Sequence, residues 1–339
     1  MIQFTKLKEH NRKNLREIIP LQKPFTVLIE PSNLCNFKCV QCFQSIPGEN
    51  YFSLNKKNMT MDCFNKIIDD IKNWEGDKIK VLKLSLYGEP FMNPNFGEML
   101  RIAKEADIAE RIETTSNVSL LNEEICNKLV EYGIDYIRVS IYSPLQEKHI
   151  NVTNSDIDIN KIHENLATLQ RIKREKNSEK PFVAVKMLDT FSEENQVFME
   201  KYNDVADELY IDQPHNWIPY EEKNFIESLY KSDAEKVKEN LEEHKSKKIA
   251  CSMSFFTLAV RSNGDVNPCC IDWIGATKIG NVLEENLYDI WKGDKMFEFW
   301  KMQLENRKEE NASCRNCEYY LSEHYIKDNV DGVSIERLK

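Results

Sequence analysis

What this chain lacks narrows it first. No apolar run approaches the roughly 18 residues needed to cross a bilayer. The basic residues near the N-terminus are not followed by an apolar segment, so a secretory signal is not expected. Positive charge is in deficit: 46 Lys and Arg stand against 56 Asp and Glu, a net charge of −10. That balance argues against a nucleic-acid backbone as the main partner, because phosphate binding needs clustered cations. No internal repeat and no low-complexity tract interrupts the chain. What remains is 339 residues, 41% hydrophobic and 30% charged, the profile of a soluble globular protein. That length suits a barrel with an appended module better than one ordinary domain. Ten cysteines without an export signal suggest metal ligation rather than disulfides, and the cytoplasm is the expected compartment.

A fourth cysteine is also missing where one would close a metal site. Cys35, Cys39 and Cys42 follow a strand-like run, spaced by three and then two residues. Structural zinc takes four ligands, and an ordinary cubane iron–sulfur cluster takes four cysteines. The next cysteine, Cys63, falls inside an amphipathic helical pattern. Three ligands therefore leave one iron open to something that is not protein, unless the site is incomplete zinc or a set of unrelated thiols.

Hydrophobic periodicity divides the chain. Residues 1–24 read as a polar, basic lead-in capping the barrel floor. Strands are expected at 25–30, 79–87, 111–115, 136–142, 182–188 and 208–212. Helical patterns alternate with them, one of which carries Phe64, Ile67, Ile68, Ile71 and Trp74 on one face behind the capping residue Thr60. Six alternating units imply a parallel α/β sheet with right-handed crossovers across residues 25–218. Periodicity does not separate an open barrel from a flat doubly wound sheet. Residues 219–249 read as a charged helical bridge. A new unit spans 250–325, with a hairpin turning at Asn263-Gly264, and 326–339 form a tail.

The Cys35–Cys42 stretch resembles the cluster loop of the radical S-adenosylmethionine (radical SAM) enzymes, in which SAM occupies the open iron. The resemblance implies a six-stranded partial (β/α)6 TIM-like barrel with a small C-terminal α+β iron–sulfur domain. It implies that Cys35, Cys39 and Cys42 hold a [4Fe–4S] cluster that reduces SAM to methionine and a 5′-deoxyadenosyl radical, which takes hydrogen from an unactivated C–H. An external reductant such as a ferredoxin or flavodoxin then follows from the chemistry. Reactive groups of α/β barrels sit where strands end, and candidate residues do cluster there. Tyr87-Gly88-Glu89-Pro90 resembles the family's Gly-Gly-Glu-Pro motif, which grips the SAM amino group, with Tyr87 in place of the first glycine. Asn117 and Ser140 resemble the polar residues that hold SAM, although the family often has Asn-Gly where this chain has Asn117-Val118. Gln41 stands where many members have an aromatic residue. Lys186 could meet a carboxylate or alternate outward, and the outward course is the expectation. His215, at the rim after strand six, suits proton removal near neutral pH.

Cys251, Cys269, Cys314 and Cys317 form a second set. It resembles the SPASM auxiliary-cluster module in its shortened, one-cluster twitch form, and it implies a second [4Fe–4S] cluster; a four-cysteine zinc ribbon is the alternative. Cys63 and Cys126 are expected to be buried core residues. Cys270, beside a presumed ligand, is a candidate spare ligand or hydrogen-atom donor. The resulting expectation is an oxidoreductase, dehydrogenase or epimerase, acting on a small polyol or sugar-like metabolite. The alternative is a maturase of a ribosomally made peptide. Such maturases often carry a further domain ahead of the barrel, and only 24 residues precede the first strand here.

Overall fold

The computed structural model describes residues 13–45, 56–214, 225–244, 247–322 and 326–338. Six parallel strands follow one another across the sheet in chain order: β1 (Thr26–Ile29), β2 (Ile79–Leu84), β3 (Ala109–Ser116), β4 (Tyr136–Ser140), β5 (Phe182–Leu188) and β6 (Glu208–Asp212). A doubly wound sheet reverses its order at a switch point, which places helices on both faces. Without a reversal, right-handed crossovers put every helix on one face and leave the other to line a lumen. Burial alternates to match. In β2, Leu82 and Leu84 are fully buried under the helices while Val81 and Lys83 are only partly covered. In β4, Ile137 and Val139 are fully buried while Arg138 and Ser140 are not.

The crossover helices form where the periodicity placed them. α1 (Leu15–Ile18) comes first among the described residues, α2 (Met61–Asn73) buries Phe64, Ile67, Ile68 and Ile71, and Thr60 Oγ1 caps it by accepting the Cys63 amide at 3.2 Å. α3 (Phe96–Ala106) and α4 (Glu123–Glu131) follow, and Gly133 turns the chain after α4 at φ +65°. A short helix that periodicity did not reveal, α5 (Gln146–Thr153), precedes α6 (Ile159–Glu175), and α7 (Glu194–Tyr202) precedes β6. The bridge is helical, as α8 (Phe225–Tyr230) and α9 (Ala234–His244).

The C-terminal unit continues the barrel sheet. Its hairpin, β7 (Thr257–Val260) and β8 (Asp265–Asn267), turns at Asn263-Gly264 with Gly264 at φ +86°. It does not make a layer of its own. β7 pairs parallel to β1, and with β9 (Gly280–Asn281) the sheet runs β6-β5-β4-β3-β2-β1-β7-β8-β9. α10 (Leu287–Lys292) and α11 (Asp294–Leu304) then pack beside it. The tail is tied down too: Asp331 accepts the Ile249 and Ala250 amides, Arg16 donates to the Asp331 carbonyl, and Val330 and Leu338 are buried.

One buried carboxylate joins the two parts. Asp70 of α2 accepts Lys66 Nζ at 2.6 Å, Asn286 Nδ2 at 2.9 Å and the Leu287 amide at 3.0 Å, at the start of α10. A negative charge there also suits the helix N-terminus. Asp70→Ala would leave two buried donors without a partner, at an expected cost of about 2–3 kcal/mol in denaturant titration. Asp70→Asn should recover part of it, and a loss below about 0.5 kcal/mol, the size of an ordinary surface substitution, would show that this contact does not dock the C-terminal unit.

Candidate functional site at the barrel rim

The chain leaves β1 at its C-terminal end and immediately enters the three-cysteine loop. Backbone contacts hold the loop from several sides. Lys38 and Val40 donate to the carbonyls of Thr153 and Val152 at the end of α5, each at 2.8 Å, and the Glu89 amide donates to the Leu34 carbonyl at 2.8 Å. Gln44 Nε2 reaches the carbonyls of Asn33 and Tyr87 at 3.2 and 2.9 Å. Cys39 is buried and Cys35 and Cys42 are half-buried. Each sulfur has a donor: the Phe37 amide to Cys35 at 3.5 Å, the Gln44 amide to Cys42 at 3.4 Å, and the Tyr142 hydroxyl to Cys39. The thiols feel one another's charge, and burial pushes Cys35 up to about 12 and Cys39 upward as well. Bare thiols in this setting stay protonated, whereas a bound metal centre removes those protons outright. Three convergent sulfurs carrying N–H and O–H donors suit an iron–sulfur cluster, whose ligands are held the same way.

Behind the loop lies the Tyr87–Pro90 segment. Gly88 is there for space: a Cβ on it would stand 2.3 Å from the Ser32 carbonyl oxygen and 2.5 Å from that of Leu34. Tyr87 is different. Its side chain packs edge-on against Phe43 and lies under the Arg261 guanidinium, so a large residue fits where the family has its first glycine. Glu89 is buried and its carboxylate accepts Ser116 Oγ at 2.8 Å and the amides of Asn117 at 2.9 Å and Phe91 at 3.2 Å. Burial raises it to about 7 against the pull of those donors. It therefore fastens the end of β3 to the end of β2. Asn117 is engaged as well: Nδ2 donates to Asn36 Oδ1 at 3.1 Å and Oδ1 accepts from the Ser119 amide and hydroxyl. Its neighbour Val118 sits at φ +53°, a left-handed conformation costly for a β-branched residue, which accounts for the glycine common at this place in the family.

In the lumen, Ser140 ends β4 in line with Arg138. Lys186 does not alternate outward, contrary to the expectation: its ammonium bonds Asp212 Oδ2 at 2.7 Å, and burial lowers its affinity for a proton while Asp212 partly restores it. Strand alternation told which residues share a face with Lys186 but not which face was the lumen. Cys63 and Cys126 are core residues, as expected. Cys270 is half-buried, and its neighbour Cys269, with smaller help from Lys83 and Arg138, holds its thiol below the usual range. His215 lies outside the described residues.

The second set also assembles. Cys251, Cys269, Cys314 and Cys317 line one cavity, together with Asp272 and Lys308. Cys270 does not line it. Buried Gln303 of α11 spans the set, accepting the Cys251 amide at 3.4 Å and donating to Cys314 Sγ at 3.5 Å, and the Ile271 amide donates to Cys269 Sγ at 3.3 Å. Burial raises Cys314 to about 12 and Cys317 to about 11. Four thiols spread around a cavity fit a body of several atoms. Gln303 carries no sequence motif, and its two hydrogen bonds to the set emerge only in the fold.

Gly88 tests the rim directly. Gly88→Ala should break the Glu89–Leu34 pairing and abolish iron incorporation at Cys35, Cys39 and Cys42 while the second site still fills, read as half the iron per chain. Full iron content with unchanged SAM binding would show that the close approach is dispensable.

Comparison with known proteins agrees with this geometry. Residues 29–184 match the Radical SAM superfamily, and residues 251–318 match SPASM, an iron–sulfur cluster-binding domain. Among curated relatives, the tungsten-containing aldehyde ferredoxin oxidoreductase cofactor-modifying protein of Pyrococcus furiosus is 28% identical over 162 residues, 48% of this chain and 43% of that protein. The S-adenosyl-L-methionine-dependent 2-deoxy-scyllo-inosamine dehydrogenase of Niallia circulans is 29% identical over 79 residues, 23% of this chain and 32% of that one. The chain spans less than half the length of the curated relatives it matches. Among solved structures, BtrN in complex with AdoMet and 2-DOIA aligns with a TM-score of 0.55 at 17% identity, covering 88% of this chain and 96% of that one. Streptococcus suis SuiB bound to precursor peptide SuiA aligns at 0.63 and 15% identity, covering 94% and 77%. At these identities the likeness is one of fold. Membership brings with it a [4Fe–4S] cluster, SAM and further iron–sulfur content in the C-terminal domain. With its barrel matched by one family and its hairpin unit by the other, this chain belongs to the radical SAM superfamily and carries a C-terminal SPASM domain.

Proposed function

We propose that the protein is a radical SAM oxidoreductase acting on a small polyol or sugar-like metabolite, with Cys35, Cys39 and Cys42 holding the SAM-binding cluster and Cys251, Cys269, Cys314 and Cys317 a second one. The observation that carries the proposal is the four-cysteine cavity. A cluster with all four irons ligated by protein has no position for substrate, so its role is to take or give an electron. When bound, SAM and the first cluster supply a species able to take hydrogen from an unactivated C–H, chemistry that belongs to the cofactor.

The chain's own residues do the positioning. Gly88 and the Leu34–Glu89 pairing set the rim beside the first cluster, Tyr87 to Pro90 and Asn117 hold that rim in place, and Ser140 sits at the lumen edge as the group for SAM. The lumen is polar, with Arg138, Ser140, Lys186 and Asp212 on one side of adjacent strands. Buried polar groups require polar partners, and a hydroxylated substrate provides them. The Asp212 carboxylate, held by Lys186, is the group we assign to accept a hydroxyl proton. The partial likeness to a dehydrogenase of an aminocyclitol supports the same substrate class. An external one-electron reductant is the expected partner. The other reading, modification of a ribosomally made peptide, draws on the fold likeness to SuiB in its peptide complex.

Anaerobically reconstituted protein with dithionite should convert SAM to 5′-deoxyadenosine and oxidise a member of a polyol panel. Cys251→Ala or Cys317→Ala should spare SAM cleavage and cut oxidised product at least tenfold. Product formed at full rate without the second cluster, or turnover of peptides but no polyol, would overturn the proposal.

A further inference from the structure

The cavity of the second cysteine set contains one cation. Lys308 opens the short turn after α11, is 9% exposed, and lines the cavity with the four cysteines. Its ammonium lies 3.2 Å from the centroid of the Tyr320 ring, a cation–π contact. Among the described residues, no carboxylate lies within ion-pair distance of it. Three acids close to it in the chain or in the cavity wall are committed elsewhere. Glu305 and Glu310 pair with Arg307. Asp272, the acid of the cavity wall, accepts Ser313 Oγ, Asn267 Nδ2 and the amides of Ala276 and Thr277, the last two at 2.9 Å.

A buried ammonium is expensive unless something negative faces it, and an aromatic ring compensates only part of that cost. A cubane with four thiolate ligands is negative in both of its usual oxidation states, and one added electron makes it more so without forming or breaking a bond. Net charge, hydrogen bonds to sulfur and solvent exposure set such a potential. Resting on the reading that these four cysteines hold an iron–sulfur cluster, we infer that Lys308 is its built-in counter-charge, raising its reduction potential so that this cluster accepts an electron more readily. Lys308 acts through the cluster and is a positioning charge rather than a catalytic residue.

The test uses the full chain with Cys35, Cys39 and Cys42 replaced by alanine, so that only the second site holds iron. Iron content and the midpoint from an EPR-monitored redox titration are measured for this parent and for Lys308→Met, Lys308→Gln and Lys308→Arg. The neutral variants should make the reduced state at least about tenfold less favourable, a fall of about 59 mV for one electron, while Lys308→Arg stays near the parent. Loss of the cluster from both neutral variants with retention in Lys308→Arg also supports the inference, since the charge is then needed to hold an anionic body. An unmoved midpoint in the neutral variants at full iron content, or loss of the cluster from all three variants, overturns it. A parent that binds zinc or no iron removes the four-cysteine reading itself, and the inference with it.

Discussion

Strand β1 is hydrogen-bonded on both sides, to β2 and to β7, and both candidate sites hang from that double pairing. Four residues, Thr26 to Ile29, carry it, with Val27 and Ile29 wholly buried. The three-cysteine loop leaves the upper end of this strand. The hairpin that precedes Cys269 is built on its other edge. Where β1 ends, the buried Glu30 carboxylate accepts the Ser262 amide at 2.9 Å, so the first turn of the hairpin is referenced to the same strand. Phe43, next to Cys42, stacks on Trp273, four residues beyond Cys269, at 5.1 Å. The two sets of thiols are thus tied to one sheet, with an aromatic contact between their loops.

Charge is distributed in the same sense. The chain is acidic overall, with a net charge of −10, yet cations turn inward at both sites: Arg138 and Lys186 in the lumen, Lys308 in the C-terminal cavity. Negatively charged clusters call for positive groups where water is excluded, since interactions there are screened least. Surface acids keep the exterior soluble without touching that interior balance.

Much of this was legible in the chain itself, for reasons that can be named. β5 falls where its apolar run placed it, because most of that strand is buried and composition alone advertises it. The cysteines were legible because a metal-ligating loop needs specific atoms at short spacing. The pairing of β7 with β1 was not, since it joins residues more than two hundred positions apart and depends on register rather than on local propensity. Glu89 belongs to a segment expected to grip SAM through backbone carbonyls, and the motif did not announce that its carboxylate binds Ser116, Asn117 and Phe91. The outward expectation for Lys186 failed because alternation alone does not say which face becomes the lumen. In the Tyr87-Gly88 pair, only the second position is sterically closed, a fact that appears once the Ser32 and Leu34 carbonyls are in place.

The central claim is that one three-sulfur site leaves an iron open to SAM while the four-sulfur site does not. EPR of the anaerobically reconstituted, reduced protein, recorded with and without SAM alongside an iron count, tests it most directly. The account predicts about eight irons per chain and two overlapping signals, of which SAM alters only the one lost when Cys35, Cys39 and Cys42 are replaced. Two signals both indifferent to SAM, or zinc in place of iron at the three-cysteine loop, would contradict it.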